Sequence, residues 1–262
     1  EGELEVTKRP IKITTASATK VYDGTPLVKK DGYSVEKSNT ANTRGLVSGH
    51  TYELNFTAEA INYGVVENAV SVTIFDASGN DVTHNYDYVS DLEFGLLEIT
   101  QRPIWFMSGS ASKVYDAIAL KCGVFDYERF NASTDSGLLE GHNVFYKLAS
   151  SITDAVSVNN AITEYSIRTN DGDDVTFNYE ISLREGTLTV YPIELKIVTQ
   201  GAEKFYDGTP LTNDKYDVTV LNATDFVAGH RIIVQVIGSQ TIVGSSPNAI
   251  DESGVKVLDA DG

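Results

Sequence analysis

Cysteine, methionine and tryptophan each occur once in this chain of 262 residues, at Cys122, Met107 and Trp105. A lone cysteine excludes an intramolecular disulfide and any multi-cysteine metal site. Basic residues are scarce, 20 Lys and Arg against 37 Asp and Glu, which leaves a formal charge of −17. That charge repels phosphate backbones, and no Lys/Arg cluster interleaved with aromatics counters it locally, so nucleic acid is not an expected partner. No run approaches the roughly 20 apolar residues of a membrane-crossing helix, and no charged-then-apolar leader opens at Glu1, so the segment is expected to be soluble without membrane insertion. Only four histidines are present, and three of them, His50, His142 and His230, each follow a glycine at widely separated points. They cannot converge on one metal or supply a Ser-His-Asp set, so each is expected to pack at a turn and no enzymatic activity is expected.

What is present reads as strands. The chain is 41% hydrophobic and 22% charged, ordinary for a globular protein, and is rich in Val, Ile, Thr and Tyr. The phrase Lys20-Val-Tyr22-Asp23-Gly-Thr-Pro-Leu27 returns as Lys113-Val-Tyr115-Asp116-Ala-Ile-Ala-Leu120 and Lys204-Phe-Tyr206-Asp207-Gly-Thr-Pro-Leu211, with tyrosines at 22, 115 and 206, spacings of 93 and 91 residues. Such a period marks one small domain written repeatedly. Other phrases travel with it in fixed order: Arg9-Pro, Arg102-Pro and Tyr191-Pro before an alternating run; Gly49-His50, Gly141-His142 and Gly229-His230 before another; Asp81-Val-Thr-His-Asn85-Tyr86 and Asp174-Val-Thr-Phe-Asn178-Tyr179 after a polar turn; and the closing Gly95-Leu-Leu-Glu-Ile-Thr100 and Gly186-Thr-Leu-Thr-Val190. Alternation around Asx/Gly turns predicts seven or so strands per repeat.

The expected architecture is all-β: tandem immunoglobulin-like β-sandwiches spanning 1–100, 101–190 and 191–262, joined in an elongated row, with β-grasp modules as the alternative. The segment Gly2-Glu-Leu-Glu-Val-Thr7 matches a closing strand and reads as that of a preceding module. The third repeat stops at Leu258–Gly262 before its own. Proline at each junction and no Gly/Ser linker predict stiff connections. Strands of about ten residues make a module about 33 Å long, so three should extend roughly 100 Å. The piece is expected to behave as a monomer within a longer multi-domain chain.

Together, Lys-x-Tyr-Asp-Gly-Thr-Pro-Leu, Gly-His, Asp-Val-Thr-x-Asn-Tyr and the closing Gly-x-Leu-x-Val/Ile resemble the YDG/MBG-type repeat domains of bacterial cell-surface, adhesin-like proteins, over essentially the whole chain. The resemblance implies an extracellular protein of the bacterial surface or cell wall, whose repeats form a stalk that spaces or displays an adhesive region, without enzymatic activity. Repeat two departs from the pattern where Ala117-Ile118-Ala119 replaces Gly-Thr-Pro.

Four sets of residues invite chemistry beside a plainer reading. Lys20 with Asn85, and Lys113 with Asn178, are the parts of an intramolecular Lys–Asn cross-link, which needs a buried neutral amine and a polarised amide; hydrogen-bonding Asn at a strand turn is the plainer reading. The Lys-Tyr-Asp phrase itself reads as a tyrosine over a lysine stem with an Asx turn, Lys20 and Tyr22 sharing a strand face. Asp76, Asp81, Asp171, Asp173 and Asp174 sit in acidic turns that resemble half a calcium loop, yet none has the distal bidentate Glu of an EF-hand; calcium is the one cofactor considered and solvated hairpin turns are the alternative. In repeat two, Trp105, Phe125, Tyr127 and Phe130 are candidates for contacting host protein or glycan, against ordinary strand and core residues.

Overall fold

A computed structural model describes residues 2–129, 134–149 and 151–262, and the protein is all-β. Among the described residues, helix is confined to single 3-10 turns at Thr83–Asn85, Val89–Asp91 and Thr176–Asn178, and no helix is long and apolar enough to cross a membrane. Two compact units are formed: residues 1–107, 125–147 and 162–184 make the first, and residues 108–124, 148–161 and 185–262 the second. Repeat two is therefore divided between them. The chain does not break into compact bodies where its sequence period does.

In the first unit, repeat one builds two small cores. Strand Val70–Phe75 buries Val70, Val72 and Ile74 and exposes Ser71, pairing antiparallel with Thr51–Phe56. Strict alternation puts one face of this hairpin against Ile11, Ile13 and Tyr86. Each such aliphatic side chain contributes about 1.5–3 kcal/mol on burial. Ile13–Thr14 lies between Ser34–Val35, antiparallel, and Leu92–Glu93, parallel.

The second core depends on the closing strand, Leu96–Thr100, which runs between Ala18–Val21, parallel, and Gly64–Glu67, antiparallel. Leu97 and Ile99 are 0% and 1% exposed and form its inner face. Entry to this strand is tight: a Cβ on Gly95 would lie 2.3 Å from the backbone carbon of Ala16. Beside it, Asn68 is fully buried and its amide donates to the carbonyls of Ala16 (2.9 Å) and Lys29 (2.8 Å), while Thr15 Oγ1 donates to Asn68 O (2.8 Å) and accepts from Gly95 N (2.9 Å).

Repeat two's opening strand, Arg102–Ser108, lies between Phe125–Arg129 and Tyr179–Arg184, parallel to the latter, and His142–Leu148 pairs with Ile162–Thr169. Ile104, Phe106 and Ile167 are fully buried there.

The second unit repeats the closing-strand arrangement. Thr187–Tyr191 runs between Ala111–Val114, parallel, and Ser157–Asn159, antiparallel, burying Leu188 and Val190. Asn160 takes the place of Asn68, donating to Gly109 O and Cys122 O at 3.0 Å each. Repeat three contributes the hairpin-like pairs Leu195–Thr199 with Tyr216–Val220 and Arg231–Val236 with Ile250–Leu258, the latter with a bulge between Ile233 and Gln235. Asn248 is its equivalent asparagine, donating to Gln200 O and Asn213 O at 2.9 Å each.

Alternation located these strands but not their directions. Among the described residues, parallel pairing recurs in the closing strands Leu96–Thr100 and Thr187–Tyr191 and in the opening strands of repeats one and two, where a chain of hairpins would be antiparallel. The asparagine clamp was also not anticipated.

Replacing Asn68 with Ala removes the donors of two carbonyls in a dry setting. Urea denaturation is expected to show a loss of about 2–4 kcal/mol. Asn248→Ala, at a more open site, should cost less than half as much.

Candidate functional site

The Lys-Tyr-Asp phrase sends its parts in opposite directions. Strand Ala18–Val21 ends one residue before Tyr22, whose N–H is held by Thr100 O at 2.9 Å. Asp23 Oδ1 accepts from Thr25 N (2.9 Å) and Thr25 Oγ1 (2.8 Å), an Asx turn that Gly24 permits with φ +78°. Lys20 Nζ closes over it, donating to Asp23 Oδ1 and Thr25 O, both 2.6 Å. Partial burial works against the Asp23 carboxylate, but the hydrogen bonds from Lys20 and Thr25 outweigh it and bring the carboxyl down to about 2. Lys204 and Asp207 do the same in repeat three, where hydrogen bonds from Lys204 and then Thr209 lower Asp207 to about 2.

The Tyr22 ring leaves this turn and enters repeat two. It is 3% exposed. Its ring lies edge-on to Tyr179, centroids 5.8 Å apart at 75°, and tilted over His142 at 6.2 Å. Strand alternation placed Lys20 and Tyr22 on one face; the strand ends at Val21, so the tyrosine is free to swing to the neighbouring repeat.

Repeat two supplies a socket made by its own signature residues. His142 follows Gly141, which turns the chain with φ +78°, and its Nδ1 shares a 2.7 Å hydrogen bond with the Tyr179 hydroxyl. Leu139 N donates to that hydroxyl at 3.3 Å. Burial pushes the Tyr179 hydroxyl up to about 12, against the Leu139 hydrogen bond, and burial lowers His142 below its ordinary value. Burial likewise raises Tyr22, offset by a hydrogen bond from Asn178. Arg102 forms the floor: its guanidinium donates to the carbonyls of Gly137 (2.7 Å), Thr134 (2.6 Å), Ser136 (2.9 Å) and Tyr22 (3.4 Å). Asn178 adds a polar clasp, accepting from Tyr63 N (2.7 Å) and donating to Asn62 Oδ1 (3.0 Å) of repeat one.

The same parts recur. In repeat one, His50 Nδ1 and the Tyr86 hydroxyl are 2.8 Å apart, and Arg9 donates to the carbonyls of Gly45, Asn42 and Arg44. In the second unit, Tyr115 of repeat two lies tilted over His230 at 5.8 Å, beside Phe226, in a cavity of about 250 Å³ that Pro192, Leu195 and Val257 also line. The sequence position held by Arg9 and Arg102 in the other repeats is Tyr191 in repeat three. Tyr206 of repeat three is 68% exposed.

The other candidate sets are placed as follows. The ammonium groups of Lys20 and Lys113 are engaged by their own turns, through Asp23 and Thr25 and through Asp116 and Ile118. Asn85 is exposed on a 3-10 turn, and Asn178 is buried in the clasp to repeat one. Asp76 accepts from Ser78 and Asn80, Asp81 from Thr83, and Asp174 from Thr176; these are local turn bonds. Asp171 and Asp173 are exposed on the equivalent turn, and among the described residues no three His, Cys, Asp or Glu are grouped to hold a metal. Trp105 carries the Arg184 guanidinium 3.9 Å over its ring; Phe125 stacks on Tyr146 at 3.8 Å; Tyr127 is exposed. Phe130 lies outside the described residues. Arg102, Tyr179 and Asn68 were absent from the candidates, although Arg-Pro, Asn-Tyr and Asn-Ala recur at matching points.

Two measurements test the turn. NMR titration should place the Asp23 midpoint near 2, and Lys20→Met should return it toward 4. Because the folded value lies below the unfolded one, the turn's contribution is complete above about pH 4 and is lost as pH falls through 2. Ala117 holds φ +61° where Gly24 and Gly208 hold +78° and +76°. Ala117→Gly is expected to stabilise repeat two by about 1 kcal/mol, read from the denaturation midpoint.

Comparison with protein-family models, curated proteins and solved structures gives no match to this chain.

Proposed function

We propose that this chain is a non-catalytic stalk segment of a secreted bacterial surface protein, its tandem immunoglobulin-like β-sandwich repeats spacing or displaying an adhesive region. The observation that carries the reading is the burial of Tyr22 of repeat one in the His142–Tyr179–Arg102 socket of repeat two. A loosely strung chain would leave that ring in water. Only Gln101 separates the closing strand Leu96–Thr100 from the opening strand Arg102–Ser108, so the covalent junction has little slack. Hinging there requires withdrawing an aromatic ring and breaking the Asn178 clasp. Stiffness at repeat junctions is what a spacer needs, and the Tyr-Asp resemblance supplies the surface location.

A second reading, repeat two as an adhesion module for host protein or glycan, is favoured by one observation. Phe125 and Tyr146 stack with planes 10° apart, and Tyr146, Phe145 and Tyr127 are exposed. Flat aromatic faces suit the apolar faces of sugars. Binding on a glycan or matrix-protein array that is lost in Tyr127→Ala and Tyr146→Ala would favour recognition over spacing.

The spacer reading is tested by coupling across the junction. Tyr22→Ala and His142→Ala, made singly and together, should show a coupling of about 1 kcal/mol in a denaturation cycle, whereas Tyr206→Ala should change stability by less than about 0.5 kcal/mol. Additive effects of Tyr22 and His142 would remove the reading. The junction should also weaken in mild acid: burial holds His142 below its unfolded value, so its contribution is full above about pH 6.5 and is lost as pH falls through the folded value. The melting-temperature difference between wild type and Tyr22→Ala should shrink over that range.

A further inference from the structure

The first and last strands of repeat one, which any pull along the chain must pass through, lie side by side. The opening segment meets the closing segment at three places, all parallel: Arg9–Pro10 against Tyr86–Asp87, Ile13–Thr14 against Leu92–Glu93, and Ala18–Val21 against Leu97–Thr100. Backbone bonds continue between and beyond them. Ile11 N donates to Asp87 O (3.1 Å), Thr15 N to Glu93 O (3.0 Å) and Tyr22 N to Thr100 O (2.9 Å). At the tight passage of Gly95, hydroxyls serve as the acceptors: Thr15 Oγ1 accepts from Gly95 N and Ser17 Oγ from Leu96 N, both at 2.9 Å. Two side chains tie the same seam, Lys12 Nζ to Glu93 Oε1 at 2.5 Å and Thr19 Oγ1 to Glu98 Oε2 at 3.3 Å.

Repeat two is built alike. In the first unit Arg102–Met107 is parallel to Tyr179–Arg184, and in the second Ala111–Val114 is parallel to Leu188–Tyr191. Ser108 and Ser110 repeat the hydroxyl pair, accepting from Gly186 N (3.0 Å) and Thr187 N (2.9 Å). Tyr115 N donates to Tyr191 O at 2.8 Å, as Tyr22 N does to Thr100 O.

Strand direction decides how such a seam meets a pull. Were the first and last strands antiparallel, both ends of the repeat would leave from the same end of the seam, and tension would open it one bond at a time. In a parallel pair the chain enters at one end and leaves at the other. Tension then slides one strand along the other and loads the evenly spaced bonds of the ladder together. We propose that the parallel seam between opening and closing strands is a tension-bearing clamp, and that carrying pull along the chain is a further function of these repeats. The hydroxyls of Thr15 and Ser17, and of Ser108 and Ser110, keep the seam bonded past Gly95 and Gly186. The proposal deepens the spacer reading and rests on it for the source of the load, because a stalk is pulled whenever the region it displays is held.

The test is single-molecule pulling of the 262-residue protein, with one handle at the C-terminus and the other at either of two positions. Cys122→Ser leaves one thiol for the movable handle, placed by Glu1→Cys or by Pro26→Cys at an exposed site. From position 1 the pull on repeat one is lengthwise; from position 26, beyond Val21, it peels the seam from its Tyr22–Thr100 end. Residues 9–25 then lie outside the loaded path, so the step belonging to repeat one should shorten by roughly 60 Å, which identifies it. That step should need a force at least about twofold higher from position 1 than from position 26, forced unfolding being set by the unfolding barrier. Ser17 is exposed, and Ser17→Ala should speed the step about fivefold at fixed force from position 1 while leaving it unchanged from position 26, where the seam has opened before Ser17 is reached. Equal forces from both positions, a gradual extension with no step, or an equal effect of Ser17→Ala at both would overturn the proposal. The Tyr22–His142 coupling is measured without load, so the clamp and the spacer reading fail separately.

Discussion

A tyrosine ring that its own repeat cannot cover is the constraint on which the first unit turns. Ala18–Val21 delivers Tyr22 to the end of repeat one, and its burial comes from His142 and Tyr179 of repeat two. The backbone reinforces the same point. Thr100 O holds Tyr22 N, and two residues later Arg102 reaches back to Tyr22 O. The strand that completes one repeat is thus continuous with the strand that opens the next, and the knob sits where the two meet. Tyr, Gly-His and Asn-Tyr share one period, yet the Tyr22 ring of repeat one acts against the Gly-His and Asn-Tyr residues of repeat two.

Arg102 shows how the socket tolerates a buried cation. Its hydrogen-bond partners at the junction include the backbone carbonyls of Thr134, Ser136, Gly137 and Tyr22. A planar guanidinium with five donors can satisfy several carbonyl dipoles at once, which a lysine ammonium cannot do with the same geometry. Two residues beyond Gly137, the Leu139 N–H caps the Tyr179 hydroxyl. Where repeat three has Tyr191 instead, Tyr115 meets His230 beside a cavity of about 250 Å³. The two junctions share an aromatic contact and differ in their polar floor.

Much of this was legible in the sequence because it is local. Alternation in Val70–Phe75 and Thr51–Phe56 announces a half-buried hairpin, Asp23 before Gly24 announces an Asx turn, and Gly-His announces a turn with a packed ring. What was hidden is non-local. Alternation states which side chains share a face but not which strand lies alongside or in which direction, so the parallel pairing of Leu97 with Ala18 left no trace in either segment. Tyr22 was read as packing over the stem of Lys20, on the same strand face, because the two are near neighbours in the chain. Its partners lie 120 and 157 positions further on, at His142 and Tyr179. The period, read as an interaction between repeats as well as a marker of copying, was the one signal that could have paired them.

The recurring asparagine shows why residue type matters at the frame of the closing strand. At Asn68 two carbonyls, of Ala16 and Lys29, point into a space that the closing strand seals from water. Only a side chain with two donors on one atom, short enough to stay inside, can serve both. Aspartate offers no donor when ionised, and serine offers one. Asparagine has a cost: the Oδ1 atoms of Asn68 and Asn160 are buried with no hydrogen-bond partner among the described residues. One unmet acceptor costs about 1–3 kcal/mol, the same scale as each carbonyl it spares, so the exchange of two satisfied groups for one unsatisfied group is favourable. Asn248 makes the same two bonds in repeat three, so each of the three repeats sets the two donors of one asparagine amide against two backbone carbonyls.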